Sequence, residues 1–138
     1  MPETFMPSFQ NLDALHEYQM NGLKWTLEHV YRGSTFYHDR FQNAGVTPKD
    51  ISSLEDIRHL PFTTADDLRS GYPFPLLSVP ESEVVRIHAS SGTTGKKKVL
   101  SYTRKDISDW GRMFARCYEM AGVTTADRVQ IAVGYGIW

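Results

Sequence analysis

The sequence predicts an α/β fold with α+β character at its N-terminus, and three observations carry that expectation. Apolar residues recur at helical spacing through the front of the chain. Two short β-branched stretches then flank a loop rich in Ser, Thr and Gly, and a long capped helical stretch follows the second of them. Helices first, then strands combined with a helix, is the order of a layered α/β or α+β domain.

The first element is a helix over about Leu12 to Tyr31. Leu12, Leu15, Leu23, Leu27 and Val30 fall at helical spacings, which sets them on one stripe. Asn11 or Asp13 can cap its start, and Gly33 is placed to end it. A shorter helix is expected over Thr35 to Asn43, with Phe36, Tyr37 and Phe41 on its apolar side and Gly45 closing it. Pro48, Ser52 and Ser53 precede a helical turn near Leu54 to His59. Thr63 or Thr64 caps a further helix start, whose first turn carries Asp66 and Asp67. Three prolines between Tyr72 and Pro80 break regular structure, so a meandering loop is expected there.

Val84 to Ala89 is short and β-branched and reads as a strand. Val99 to Tyr102 reads as a second, making a hairpin around the intervening loop. Thr103 with Asp106 three residues later caps a long helix over Arg104 to Met120, ended by Gly122. Asp127 to Val133 is expected as a third strand. No internal repeat or low-complexity segment interrupts this order.

Whole-chain properties narrow the function. The chain has 138 residues, the size of one domain, and 41% hydrophobic against 22% charged residues is enough to bury a core. A formal net charge of -1 argues against nucleic acid and anionic membranes as partners. The basic run at Arg104 and Lys105 is followed at once by Asp106 and Asp109, which reinforces that reading. Cys117 is the lone cysteine, so no intrachain disulfide forms, in keeping with a cytoplasmic setting. Residues 1–10 show no secretory signal, and nowhere do about 18 apolar residues run together as a membrane span requires. The chain stops in a Gly-rich turn, Gly134-Tyr135-Gly136, just before Trp138. A strand and an aromatic residue left without partners lead us to expect a truncated chain.

The loop Ser90-Ser91-Gly92-Thr93-Thr94-Gly95-Lys96 carries the chemistry. Gly92 and Gly95 permit positive backbone dihedrals and let main-chain N–H groups approach an anion. The hydroxyls donate to phosphate oxygens, and Lys96 adds a point charge. The pattern is not a Walker A loop, because Ser90 stands where that motif needs Gly, and Lys97 where it needs Ser or Thr. An ordinary hairpin turn with a solvated Lys96-Lys97-Lys98 run is the bland alternative. The order of residues after a β-branched strand favours a phosphate grip.

The five histidines give no metal-ligand spacing, and one cysteine adds none. His16, His29, His38 and His59 read as surface or cap residues. His88, at the loop's entry, reads as a strand histidine bonded to a neighbour, with contact to phosphate or substrate as its sharper alternative. Trp25, Trp110 and the tyrosines read as core or interface aromatics.

Arg86 to Lys96 resembles the phosphate-loop signature of phenylacetate–coenzyme A ligases, within the adenylate-forming acyl- and aryl-CoA synthetases. Several further stretches resemble that family in order and spacing. They are Val30-Tyr31 with Phe36-Tyr37, then Phe41 and Ala44-Gly45-Val46. They continue with Leu60-Pro61-Phe62-Thr63-Thr64, Asp67-Leu68-Arg69 and Tyr72-Pro73-Phe74, and end with Tyr102-Thr103 and Gly134-Tyr135-Gly136.

The resemblance implies an incomplete piece of the large N-terminal ligase domain, with a helical segment over about 11–70 and a strand, loop, helix and strand segment over about 84–138. It implies that the small C-terminal domain and its catalytic lysine lie beyond Trp138. It also implies a two-step reaction: a carboxylate attacks the ATP α-phosphate to give an acyl-adenylate and pyrophosphate, and coenzyme A then displaces AMP. Ser90 to Lys96 match the loop that holds the departing pyrophosphate, and Mg²⁺ accompanies ATP without a metal ligand assignable in this chain. The implied partners are an aryl or alkyl carboxylate, ATP and coenzyme A, with a homodimer possible. A fragment of this length is expected to be inactive alone.

Two departures from the family pattern bear on this expectation. The family continues Gly-Lys-Pro-Thr, whereas Lys97 and Lys98 follow Lys96 here, which loosens the loop's exit and raises the local positive potential. Its aryl-pocket strand reads Ala-Tyr-Gly-Tyr-Gly, whereas Ala132 is followed here by Val133, Gly134, Tyr135 and Gly136. Val133 stacks a ring less well than tyrosine, and Trp138 falls on a usually aromatic position that can compensate. Val133, Tyr135, Gly136 and Trp138 are thus the candidate acid-pocket residues. The alternatives are a related synthetase with another acid or acceptor, and a non-catalytic phosphate-binding or dimerising module.

Overall fold

A computed structural model describes residues 4–90 and 97–132. Helix α1 spans Leu12–Gly33, and Asn11 is its cap: the side-chain oxygen accepts from the Ala14 N–H at 2.8 Å. Its apolar stripe packs through Met20, Leu23, Leu27 and Val30, whereas Leu12 in the first turn is 70% exposed.

Gly33 does not end α1 by the left-handed route that its position suggested. Ser34 is the C-cap, in extended conformation, and donates its N–H to Val30 O at 3.0 Å. Gly33 is needed for another reason, since a Cβ built on it would lie 2.0 Å from the Ser78 carbonyl oxygen. The end of α1 therefore lies directly against the proline-interrupted loop.

Ser34 also caps α2, Thr35–Ala44, which closes at Gly45 with φ 67°. Leu27, Phe41 and Ile51 form the buried centre, with Tyr31, Tyr37, Val46 and Leu60 packed around it. Two 3-10 turns follow, Pro48–Asp50 and Leu54–His59, each opened by a reciprocal box in which an aspartate accepts from the cap residue's backbone. Thr64, of the two threonines, caps α3, Ala65–Ser70, and Asp67 accepts the Thr64 N–H at 2.7 Å. Asp67 also pairs with Arg40 of α2, whose other nitrogen donates to Phe62 O at 3.1 Å. The Leu60–Thr64 stretch is thereby strapped to α2.

Strands β1, Val84–Ala89, and β2, Val99–Thr103, pair antiparallel in a two-stranded sheet. Their register sets Ala89 opposite Val99, His88 opposite Leu100 and Arg86 opposite Tyr102, with a bulge between Val84 and Arg86. Thr103 ends β2 and is at once the N-cap of α4, Arg104–Met120. Its N–H donates to the Asp106 carboxylate at 2.7 Å, and its hydroxyl accepts the Asp106 N–H at 3.2 Å. Gly122, with φ 78°, follows the C-cap of α4. The chain's front end docks on this helix, because Phe5 N–H donates to Glu119 and Arg116 donates to Phe5 O, both at 2.9 Å.

The expected third strand is not formed over residues 127–132, where no regular element is present. Asp127, read as the strand's first residue, instead folds a turn by accepting the Thr124 N–H at 2.7 Å. Val129 and Ile131 are 57% and 61% exposed, and no described strand lies beside them to complete a ladder. The rest of the expected order stands: helices, then strand, loop, strand and helix.

Candidate phosphate-loop site

The site is built at the open end of the hairpin. Ser90 follows β1 and Lys98 precedes β2, and the two close the neck of the loop by two hydrogen bonds. Ser90 N–H donates to Lys98 O at 2.9 Å, and Lys98 N–H donates to Ser90 Oγ at 3.0 Å. Ser90 Oγ thus accepts inside the neck while its own proton remains free to donate outward. Directly beneath, Ala89 pairs with the buried Val99, so the neck rests on packed backbone.

On the helix side, three aromatic rings support the same neck. His88 meets Tyr102 at 5.0 Å and Trp110 at 5.1 Å, both edge-on, while Tyr102 stacks on Trp110 at 5.4 Å. Trp110 continues to Phe114 at 5.7 Å, one helical turn along. The capping box at Thr103 holds β2 and α4 at a fixed angle, and that angle brings Trp110 over the strands. His88 therefore belongs to a ring cluster. The sequence marks Tyr102 and Trp110 only as core or interface aromatics; their convergence on His88 is what the structure adds.

Of the loop residues expected to hold phosphate, Ser90 lies at the neck. Ser91, Gly92, Thr93, Thr94, Gly95 and Lys96 lie outside the described residues, as do the acid-pocket candidates Val133, Tyr135, Gly136 and Trp138. Lys97 and Lys98 are described and bring two cations to the loop's exit.

A cleft of about 360 Å³ opens elsewhere, between α1 and the hairpin, lined by Trp25, His29, Phe74, Val84, Val99 and Ser101 among others. Ser90 does not line it, so it is distinct from the loop's neck. At its rim Trp25 stacks on His29 at 4.9 Å, and Lys105 lies 5.9 Å above the Trp25 ring. The ion pair of Lys105 with Asp109 raises the lysine's pKa and lowers that of the aspartate. Among the described residues no three His, Cys, Asp or Glu side chains converge on a metal site. No helix among them is long and apolar enough to cross a membrane.

No protein-family profile matches the chain. It is 46% identical over 128 residues to phenylacetate-coenzyme A ligase from Escherichia coli (strain K12), and 44% identical over 128 residues to that from Pseudomonas putida. Each alignment takes 93% of this chain and 29% of the relative. With the Thermus thermophilus ligase the identity is 40% over 136 residues, 97% of this chain and 31% of that protein. The chain thus matches the N-terminal portion of these ligases and spans less than a third of their length.

Among solved structures, 2-hydroxyisobutyryl-CoA ligase with 2-HIB-AMP and CoA superposes with a TM-score of 0.65 at 25% identity, over 77% of this chain and 24% of that one. The same ligase in the postadenylation state gives 0.71 at 23% identity, over 83% and 25%. The fold is accordingly part of that of an adenylate-forming CoA ligase.

Proposed function

We propose that this chain is the phosphate-holding, N-terminal part of a cytoplasmic, AMP-forming aryl–CoA ligase of the phenylacetate type. The observation that carries the reading is the closed neck at Ser90 and Lys98, from which a loop of Ser, Thr, Gly and Lys springs. The likeness to phenylacetate–CoA ligases at 40–46% identity supports it.

In this reading a carboxylate oxygen bonds to the ATP α-phosphorus as the bond to the bridging oxygen of pyrophosphate breaks. Coenzyme A thiolate then attacks the acyl carbon and AMP leaves. Neutralising the crowded phosphate is a matter of positioning and charge rather than covalent help from the protein. Ser90 to Lys96 supply that on the pyrophosphate side: backbone N–H groups, hydroxyls and the Lys96 ammonium meet the charge that accumulates on the leaving group. Lys97 and Lys98 add to the field without a required geometry. The family resemblance implies Mg²⁺ together with the nucleotide, and no step is assigned to a protein-held ion.

We assign residues 1–138 to part of one ligase domain, with its helical segment at about 11–70 and its strand, loop and helix segment at about 84–138, and Val133, Tyr135, Gly136 and Trp138 lining the acid pocket. The chain covers 29–31% of its relatives' length, so the phosphate-holding share of the reaction is assigned to it and not the whole cycle. The test is carboxylate-dependent exchange of labelled pyrophosphate into ATP by the protein that carries this chain. Phenylacetate should support exchange better than short alkyl acids; exchange indifferent to the acid would argue against an aryl ligase.

A second reading, a self-associating phosphate-binding module, is favoured by one observation. The apolar side of α4 is open, with Phe114 49% and Met120 68% exposed. Phosphate binding without any carboxylate-dependent exchange would select that reading.

A further inference from the structure

His88 lies on β1 two residues before Ser90, which follows the strand and continues its pairing through Lys98, so the two side chains issue from the same face. Opposite them on that face are Leu100 and Lys98, the residues that pair with His88 and Ser90 in the antiparallel register. The imidazole is packed edge-on against Tyr102 of β2 and Trp110 of α4, at 5.0 and 5.1 Å. A ring in contact with both the other strand and the helix fixes the separation of the two arms of the hairpin one step below the loop. The Ser90–Lys98 neck then transmits that separation to the loop ends.

We propose that His88 is a positioning residue, which sets the width of the phosphate loop's neck by packing between Tyr102 and Trp110 and does not itself contact phosphate. The proposal deepens the reading of the loop as the holder of the ATP phosphates and rests on that reading. It predicts that the shape of the ring matters more than its nitrogens, because the contacts are edge-on aromatic ones. It also predicts selectivity, since misplacing the loop should weaken the handling of nucleotide and leave the acid site alone.

The experiment compares His88→Ala with His88→Phe in two assays. In pyrophosphate–ATP exchange by the protein that carries this chain, His88→Ala should raise KM for MgATP by about tenfold or more and leave KM for the carboxylate within about twofold. His88→Phe, which keeps a ring in place, should stay close to wild type. In limited trypsin digestion of the 138-residue chain, cleavage after Lys97 and Lys98 should accelerate about tenfold in His88→Ala, with other sites unchanged, because the loosened neck samples open forms more often.

Equal loss of MgATP affinity in both variants, with cleavage unchanged, would overturn the proposal in favour of direct phosphate contact by the imidazole. A uniform fall in kcat with both KM values altered and early melting would reduce His88 to a fold residue and also overturn it. If wild type shows no carboxylate-dependent exchange, the functional reading fails. The digestion arm then still decides whether His88 holds the neck.

Discussion

The two halves of this molecule hold themselves together in different ways. The helical front, α1 to α3, closes around Leu27, Phe41 and Ile51, three side chains that are almost wholly buried. Among the described residues, the hairpin and α4 bury one apolar residue, Val99, and no residue of α4 is buried. That second half is held by a reciprocal cap at Thr103, a clasp at Ser90 and Lys98, and a ladder of rings from His88 to Phe114. Both halves carry caps, but the front half adds a buried apolar centre to them, whereas the half with the candidate chemistry relies mainly on its directional contacts. Close-packed burial is sensitive above all to lost volume, whereas caps and edge-on ring contacts carry the directional preferences.

Emptying the first half should have the largest effect on stability. Phe41→Ala removes a side chain that is 3% exposed at the centre of the front core and should cost about 3–5 kcal/mol, read as a large fall in thermal midpoint. A cost under about 1 kcal/mol would erase the contrast between the halves. Thr103→Ala should cost only about 1 kcal/mol overall, because it deletes one cap. Its effect should be local: amide exchange should quicken in the first turn of α4 and stay unchanged in α1.

The smallest effect is on acid stability. The Ser52 and Ser53 N–H groups hold the Asp56 carboxyl at about 2, below its ordinary 3.8. Asp50 and Asp67 are lowered in the same direction by Thr47 and Thr64. A depressed carboxyl binds its proton less readily folded than unfolded, so this stabilisation is complete above about pH 4. It is lost as pH falls towards about 2. Denaturant midpoints measured across that window should decline, and Asp56→Asn should flatten the decline.

Local rules made most of this fold legible. Periodic leucines, the Thr103–Asp106 cap and the β-branched hairpin arms each foretold the element observed. The failures share a cause, which is that one residue type serves two purposes. Gly33 does stand at the helix stop, but not as a left-handed cap: it is small to admit the Ser78 backbone, a contact distant in sequence. Asp127 opened an apparently alternating strand, yet its carboxylate closes a turn on Thr124, the same device that caps Thr47, Ser53, Thr64 and Thr103. At the site, the chemistry of the loop could be read from its composition. The ring cluster beneath it could not, because it joins a strand residue to a helix residue twenty-two positions later through the angle set at Thr103.

The central claim is that the loop at the hairpin's end holds the pyrophosphate side of ATP. Its most direct test is carboxylate-dependent pyrophosphate–ATP exchange by Lys96→Ala in the protein that carries this chain. Loss of a positioned cation from the departing pyrophosphate should lower kcat/KM for MgATP by about a hundredfold or more, with the fold intact. Exchange at the wild-type rate would contradict the account.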